Sequence, residues 1–425
     1  MAGRERLKYQ LMKKIGFLLI LLFAHSSCKK DEVEKQEDEL SLEYKPGVVR
    51  VNHSPEEVIL SADESTQMYS LNKSAFDKQP RVGEVILIPG EIMHKVKAIR
   101  SAGDRYEVEM EPAALTDVIE NGTIAFEVQP EWGDASSLRI EGKEMLNRGS
   151  RLSIEPIEFN MNVSGVDHKI LITPKMEDGK INSCTFRFQM SKGGSTSFEA
   201  VGTATLPKQK TLIYIEDGKL KEFKSENSGL DAAFKVHMDT AGGDSGEHSL
   251  SLPKMALTFP LRYIPTPVGL VPNPIPMSIE VGVQFVSQMT LPDAMSSASA
   301  ESSVSYSARG GFEYKGADVA ATGDLSRSEI KDGRFDSAAG FGMPVDLQFG
   351  VAFPRISFNI VSQEVAFVHV GYTTGSRLQW GPLCKSGYSK VVVEGGYTLS
   401  ALGQTIASGK TTFKEDVKKA GDNCD

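Results

Sequence analysis

Three features that mark common functional classes are missing from this 425-residue chain. No glycine-rich loop is followed by lysine and then serine or threonine, which excludes the usual phosphate-binding loop of nucleotide hydrolases. No apolar run after the first 27 residues is long enough to cross a membrane as a helix. Basic residues do not exceed acidic ones and the formal net charge is −9, so we expect no binding to nucleic acid.

The amino terminus has the three-part layout of a secretory signal peptide. It starts with basic residues, continues with an apolar stretch from Ile15 to Ala24, and ends in His25, Ser26 and Ser27. The apolar stretch is too short to span a bilayer as a helix, so it predicts export followed by cleavage. Removal of residues 1–27 takes away five basic residues and one acidic residue, which makes the mature chain more acidic.

Cys28 follows this stretch, and the charged segment "KKDEVEKQEDE" comes directly after it. A cysteine behind small residues resembles the lipobox of bacterial lipoproteins, with His25 in the place of the usual leucine. This resemblance implies that the thiol of Cys28 carries diacylglycerol. The charged segment is similar to the export signal of bacteroidete-type surface lipoproteins, so residues 28–44 are predicted to form a flexible tether.

The same resemblance implies a location. The protein is expected to be lipid-anchored in the outer membrane and to face the cell exterior, so that its anchor makes the membrane a partner. An ordinary secreted protein with a charged linker is the alternative.

The rest of the chain is dominated by β-strand patterns. "MSIEVGVQF" (277–285) alternates apolar and polar residues, as a strand with one buried face does. Three Asp-Gly dipeptides favour tight hairpin turns: Asp178-Gly179, Asp217-Gly218 and Asp332-Gly333. Helix signals are confined to residues 112–120 and 413–420. The sequence therefore predicts an all-β protein of antiparallel, sandwich-like or elongated domains with few short helices.

Three domains are predicted after the tether. They are a small β-rich module at 45–130, a hairpin-rich β domain at 131–250 and a carboxy-terminal β domain at 251–425. In the first, "VGEVILIPGEIMHKVKAIRSAGDRYEVEMEPAALTDVIENG" (82–122) resembles a pattern near the start of many secreted bacterial proteins of unassigned role. This resemblance implies no particular chemistry.

The segment "FPLRYIPTPVGLVPNPIPMSIEVGVQF" (259–285) is rich in proline. Five of its prolines fall into two sets that each share one side of an extended chain: Pro265 and Pro267, then Pro272, Pro274 and Pro276. Because proline has no amide hydrogen to donate, such a segment predicts a protected sheet edge. A polyproline linker between two domains, near residue 250, is the alternative.

Three cysteines remain once Cys28 is acylated: Cys184, Cys384 and Cys424. In an oxidising compartment, a disulfide between Cys384 and Cys424 is predicted to pin the carboxy-terminal segment and to leave Cys184 buried. Since connectivity cannot be read from spacing, pairs that include Cys184 stay open.

The polar stretch "HMDTAGGDSGEH" (237–248) contains a candidate metal site. Its ligands would be His237, Asp239, Asp244 and His248. Oxygen ligands on a glycine-rich loop suit calcium, which is the cofactor considered, whereas two histidines with a carboxylate suit zinc. A solvated turn between strands is the alternative. Ser245 lies in a Gly-Asp-Ser-Gly sequence similar to the nucleophile loop of chymotrypsin-like proteases, but no histidine stands in a matching motif, so no catalytic residue is assigned.

Two tryptophans are candidate ligand-binding residues. Trp132 in "QPEWGDAS" and Trp380 in "SRLQWGPLC" both precede glycine in turn-like stretches. Exposed aromatic rings stack on the apolar faces of sugars, although large aromatic side chains are more often buried.

Three classes of function remain. The first is a non-enzymatic, cell-surface lipoprotein that binds, adheres or displays, with a glycan or a protein as ligand. The second is an anchored hydrolase whose paired carboxylates a sequence does not reveal. The third is a carrier of apolar ligands in a β-walled cavity, suggested by Phe349, Phe353, Phe358 and Phe367.

Overall fold

The computed structural model describes residues 39–63, 65–140, 143–145, 155–163, 165–177, 180–193, 196–241, 246–251, 254–291, 297–338, 345–379, 384–404 and 408–421. Residues Asp38–Asp425 form one compact unit. In the described ranges the protein is all-β, as predicted, and its two α-helices, α1 (Pro55–Val58) and α2 (Leu115–Val118), have one turn each. Neither helix is long and apolar enough to cross a membrane.

The first ten strands are β1 (Glu39–Tyr44), β2 (Val48–Arg50), β3 (Ile59–Asp63), β4 (Met68–Asn72), β5 (Val85–Ile88), β6 (Ile92–Ala102), β7 (Arg105–Pro112), β8 (Ile119–Val128), β9 (Ser137–Ile140) and β10 (Lys143–Glu144). The next ten are β11 (Ile157–Val163), β12 (Val166–Glu177), β13 (Lys180–Lys192), β14 (Thr196–Ala204), β15 (Lys208–Glu216), β16 (Lys219–Ala241), β17 (Gly246–Ser251), β18 (Met255–Pro260), β19 (Tyr263–Thr266) and β20 (Gly269–Pro272). The last seven are β21 (Met277–Leu291), β22 (Ser297–Lys315), β23 (Asp318–Ala338), β24 (Val345–Ile360), β25 (Gln363–Gln379), β26 (Cys384–Thr398) and β27 (Ser408–Gly421).

A six-stranded sheet near the amino terminus has its own small core. Its strand order is β2-β5-β6-β7-β4-β3, and only the pair β2–β5 is parallel. Alternate residues of β7 face the core, among them Tyr106, Val108 and Met110. This sheet ends at Pro112, and the next strand, β8, joins a different sheet. The small module is therefore shorter than the predicted 45–130.

The largest sheet has ten strands and is built around β16. One side of β16 pairs with β15 in its first half and with β14 in its second half, while the other side pairs with β22 along almost its whole length. From β14 the sheet continues through β13 and β12 to β11, and from β15 it continues through β8 to β1. The flexible tether predicted for residues 28–44 was wrong at its end, because Glu39–Tyr44 pair with β8. β23 follows β22 as a hairpin partner.

The second large sheet, of nine strands, repeats this arrangement around β21. One side of β21 pairs with β18 and β17, and its other side pairs with β24, from which β25, β26 and β27 follow in order. β18 also pairs with β9, which pairs with β10.

Both large sheets contribute to one hydrophobic core. Phe353 of the nine-stranded sheet lies 5.1 Å from Phe186 and 5.5 Å from Phe234 of the ten-stranded sheet, measured between ring centroids. The predicted boundary at residue 250 does not separate two sheets, because β9 pairs with β18 and β16 pairs with β22. Residues 131–250 and 251–425 therefore share their sheets and their core.

Asp-Gly dipeptides form two different structures. Asp217 and Gly218 have positive φ angles of 52° and 64° and form the predicted hairpin turn between β15 and β16. The prediction of a hairpin at Asp332-Gly333 was wrong, because β23 continues through these residues. They form a bulge opposite β22, where the register shifts between Glu301 and Ser303. Residues 178 and 179 lie outside those described, between β12 and β13.

The two predicted helices had opposite outcomes. Residues 112–120 contain α2, although the helix is restricted to Leu115–Val118. The helix predicted at 413–420 was wrong, since these residues belong to β27. Phe413 packs against Phe312, with 5.6 Å between ring centroids, and pairing with β26 overrides the helix propensity of the charged residues around it.

The proline-rich segment forms a small sheet of its own. β19 and β20 pair only with each other and make a two-stranded antiparallel hairpin, so the segment contains edge strands that lead into β21. The turn at Pro267 and Val268 is closed by Gly269, whose φ is +119°, a value that L side chains rarely adopt. The strand predicted at 277–285 is confirmed as the first part of β21.

Candidate binding site

An open pocket of about 790 Å³ extends over strands β11 to β14. We call it the β11–β14 pocket. Polar side chains predominate in its lining and include Asn160, Asn162, Asp167, Lys169, Gln189 and Glu199. Met161, Met190 and Phe198 alternate with these polar residues along the strands, and their side chains face the core. The volume is within the range of small-molecule sites, and the polar lining suits a polar ligand.

Strand register places these polar side chains in two rows that cross the sheet. The first row joins Asn160, Lys169, Gln189, Glu199 and His237, each directly opposite the next on the neighbouring strand. The second row joins Asn162, Asp167, Ser191, Ser197 and Asp239 in the same way. Because strand residues two apart point to the same face, both rows lie on the face opposite the core. The two rows therefore form a continuous polar surface.

Hydrogen bonds hold the acidic side chains of these rows. The amide Nδ2 of Asn162 donates to Oδ1 of Asp167 at 2.8 Å, and Nε2 of Gln189 donates to Oε1 of Glu199 at 3.0 Å. Nε of Arg187 lies 3.6 Å from the same Glu199 oxygen. Each carboxylate is thus oriented by a neighbouring strand and keeps lone pairs for a ligand.

The rim of the pocket carries charges of both signs. Asn160 and Lys169 each approach Oε1 of Glu158 to 3.0 Å. These two contacts hold the pKa of Glu158 below its usual value, with the hydrogen bond from Asn160 as the main cause. The rim therefore offers an ionised acceptor beside a donor.

The predicted metal residues are only partly brought together. Nε2 of His237 lies 2.6 Å from Oδ2 of Asp239, two residues along β16 at the end of the polar rows. His248 lies in β17, where its backbone pairs with Met289 of β21. Asp244 and Ser245 lie outside the described residues. In the described ranges, no three histidine, cysteine or acidic residues group as metal ligands. The contact between His237 and Asp239 is a hydrogen bond between neighbouring side chains on a strand surface.

Trp132 is not a ligand-binding residue. Its side chain is only 1% exposed and lies between Phe186 and Phe259, at centroid distances of 5.8 and 6.2 Å. The candidate role in stacking on sugars is excluded and the alternative, a buried packing residue, is confirmed, because the short 3-10 turn at Trp132–Asp134 directs the ring into the core. Trp380 lies outside the described residues.

Cys184 lies in β13 and belongs to the common core. It is a free thiol with no exposed surface, and burial raises its pKa to about 12. The two open pairings that include Cys184 are therefore excluded. Cys384 is the first residue of β26, while Cys28 and Cys424 lie outside the described residues.

The three described side chains among the phenylalanines that suggested a carrier do not share a cavity. Phe353 and Phe358 are buried in the common core, where Phe358 lies 6.4 Å from Phe126. Phe367 lies on the opposite face of the nine-stranded sheet, under the guanidinium of Arg355 at 4.2 Å from its ring centroid. The side chain of Phe349 is outside those described.

Comparison with known proteins gives one partial match. A family model described as a domain of unknown function (DUF8403) matches residues 33–121. This range contains β1 and the six-stranded sheet and ends before the β11–β14 pocket. No curated protein matches the chain, and no solved structure matches it.

The polar rows were missed by sequence reasoning. One local signal was present, since "IEFNMNV" in β11 alternates Asn160 and Asn162 with apolar residues. The register that places them beside Asp167 and Glu199 depends on pairing between strands up to about forty residues apart along the chain.

Proposed function

We propose that this protein is a lipid-anchored, cell-surface binding protein that holds a glycan in the β11–β14 pocket without chemical change. The observation that supports this most strongly is the pair of polar rows across the pocket. Their amide, hydroxyl and carboxylate groups offer donors and acceptors at the spacing of adjacent strands, about 4.8 Å. Repeated donors and acceptors on a rigid sheet suit the repeated hydroxyl groups of a sugar chain.

Binding is favoured over hydrolysis by the hydrogen bonds that the pocket carboxylates make. Cleavage of a glycoside needs one carboxyl group that donates a proton to the leaving oxygen. Asp167 and Glu199 instead accept hydrogen bonds from amides on their own sheet. These contacts orient both groups as acceptors.

The proposal includes the location of the protein in the cell. The layout of residues 1–28 supports export, cleavage before Cys28 and acylation of its thiol. The acidic tether supports display on the exterior of the outer membrane. We include the Cys384–Cys424 disulfide, because Cys184 is buried and free and the proposed compartment is oxidising.

The test is a glycan-array screen with the mature, full-length protein, followed by titration of the best glycan. Asn162→Ala combined with Gln189→Ala should weaken binding about tenfold or more, because each substitution removes a donor and releases a carboxylate. Gln363→Ala, at the start of β25 in the other large sheet, is the matched control and should bind as the unmodified protein does.

Two results would contradict the proposal. One is full affinity in the double variant, which would place the ligand elsewhere. The other is release of shortened sugars during incubation, which would make the protein a hydrolase. Binding of a protein ligand in a pull-down, with no glycan bound on the array, would replace the glycan as the ligand class.

A further inference from the structure

One stretch of this highly charged chain carries almost no charge. The sequence has 47 lysine and arginine residues and 56 aspartate and glutamate residues, yet Arg262 is the only charged residue between Lys254 and Glu280. The middle of this stretch is the β19–β20 hairpin. Its composition is that of a buried segment, although much of the hairpin is exposed.

The hairpin presents apolar side chains to solvent. Val268 is 90% exposed and Leu270 is 71% exposed, the two highest values among the large hydrophobic residues of the described ranges. Tyr263, on the paired strand, is 57% exposed. Exposed apolar residues that cluster in this way mark a contact surface, whereas single ones are common on any protein.

The hairpin is held firmly at both ends. At the tip, the hydroxyl of Thr266 donates to the carbonyl oxygen of Gly269 at 2.8 Å. At the base, Asn273 is 2% exposed, and its Nδ2 donates to the carbonyl oxygen of Leu261 at 2.8 Å. Ile264 is buried in the common core. A fixed hairpin can present its apolar tip with little loss of conformational entropy on binding.

The position of the hairpin indicates what covers its tip. β19 packs against β1 and β8, and β1 begins at Glu39. Only ten residues separate Glu39 from Cys28. A chain of this length spans at most about 40 Å when fully extended, so an acyl group on Cys28 would keep the strand beside the hairpin close to a bilayer.

We propose that the β19–β20 hairpin inserts its tip into the lipid surface to which Cys28 is anchored. The inference depends on the acylation of Cys28 put forward under Proposed function. Val268 and Leu270 enter the boundary between headgroups and acyl chains, a depth of about 5–10 Å, and Tyr263 lies at the level of the headgroups. Because the protein has a net negative charge, zwitterionic lipids suit this contact better than anionic ones.

The contact adds a second membrane signal to the lipid chains. Acyl chains alone limit the distance of the body from the bilayer but leave it free to rotate on its tether. An inserted hairpin fixes the orientation as well, so that the same face of the protein always meets the membrane.

The test places a polarity-sensitive fluorophore on Val268→Cys in the mature, acylated protein reconstituted into vesicles of phosphatidylethanolamine and phosphatidylcholine. Val417→Cys is the control. Val417 is 43% exposed and lies on β27, an edge strand of the nine-stranded sheet that does not pair with the hairpin. We expect blue-shifted emission at position 268 and at least about threefold slower quenching by an aqueous quencher than at position 417. Equal quenching at the two positions in these pure lipid vesicles would overturn the inference.

A second preparation separates this inference from the acylation on which it depends. The Cys28→Ser chain, held on nickel-chelating vesicles by an amino-terminal histidine tag, brings the body to the membrane without a lipid chain. Burial of the position 268 label there supports the hairpin contact even if mass spectrometry finds no fatty acid on the natural protein. A label that stays in water in both preparations rejects the contact, even if Cys28 is acylated.

Discussion

Arg355 and Glu364 form a two-pronged ion pair on the outer face of the nine-stranded sheet. Nη1 and Nη2 of Arg355 lie 2.6 and 2.9 Å from the two oxygens of Glu364, and the hydroxyl of Ser357 donates to the same carboxylate at 2.7 Å. Arg355 also covers the ring of Phe367. This group joins β24 to β25 on the side of the sheet that faces away from the core.

Substitution of Glu364 should therefore destabilise the fold. Partial burial raises the pKa of Glu364, but the contacts with Arg355 and Ser357 outweigh it and the pKa is lowered overall. Glu364→Gln should lower the free energy of unfolding by about 1 kcal/mol, a value reduced for solvent screening. Because the pKa of Glu364 is lower in the folded protein, its carboxylate stabilises the fold at pH values above the usual pKa of 4.5. The difference in stability between Glu364→Gln and the unmodified protein should therefore vanish as the pH falls through the lowered pKa.

Chemical unfolding at several pH values would measure this effect. Glu127→Gln, which removes an exposed ion pair with Lys208, is the control and should change stability by less than about 0.5 kcal/mol. A loss in Glu364→Gln that persists undiminished at low pH would contradict the assignment.

His369 should make the protein sensitive to mild acid. Burial lowers the pKa of His369 below 6.5. The carboxylate of Glu394 raises this pKa, but the positive charges of Arg355 and Lys410 lower it further, so the net shift is downward. The unfolded chain takes up this proton first, so the free energy of unfolding should fall as the pH drops below about 6.5.

His369→Gln should flatten that part of the stability profile. Thermal unfolding between about pH 7 and pH 5 is the measurement, with His53→Gln, an exposed histidine in the small module, as the control. An equally steep profile in His369→Gln would assign the sensitivity to other groups.

Gly202 is required by the packing of Phe234 on the neighbouring strand. A Cβ atom added at Gly202 would lie 2.1 Å from Cδ1 of the Phe234 ring, which is 4% exposed and cannot move away easily. Gly202→Ala should therefore lower the free energy of unfolding by about 1–3 kcal/mol.

Gly282→Ala provides a matched comparison in the other large sheet. Its added Cβ would lie 3.5 Å from the nearest atom, the Cβ of Arg355, which is an ordinary contact. Denaturant unfolding should show a clear loss for Gly202→Ala and little change for Gly282→Ala. Equal stability of the two variants would contradict the crowding at Gly202.

The thiol of Cys184 should not react in the native protein. It is fully buried, and its pKa of about 12 leaves almost no thiolate at neutral pH. Iodoacetamide should alkylate Cys184 only after unfolding, and peptide mass spectrometry would detect the product. Without a reductant, Cys384 and Cys424 should resist alkylation even in the unfolded chain; alkylation of either would reject the proposed disulfide.

Local sequence patterns were reliable where a single strand or turn decides the structure. Alternation in 277–285 predicted β21, and the left-handed tolerance of Asp217-Gly218 predicted a hairpin that is present. The same dipeptide at Asp332-Gly333 forms a bulge, because pairing with the long strand β22 continues past it. The carboxy-terminal segment has charges that favour a helix, yet it pairs with β26.

The amino-acid sequence by itself determined that the chain is built of strands, since alternation of apolar and polar residues is a property of neighbouring positions. Only the tertiary structure decided which strands pair, that residues on both sides of position 250 share one core, and that Trp132 is buried. It also decided that the polar residues of β11 to β14 stand in two rows and that Val268 and Leu270 are exposed. Register and burial depend on contacts between residues far apart in the chain, and no local pattern contains that information.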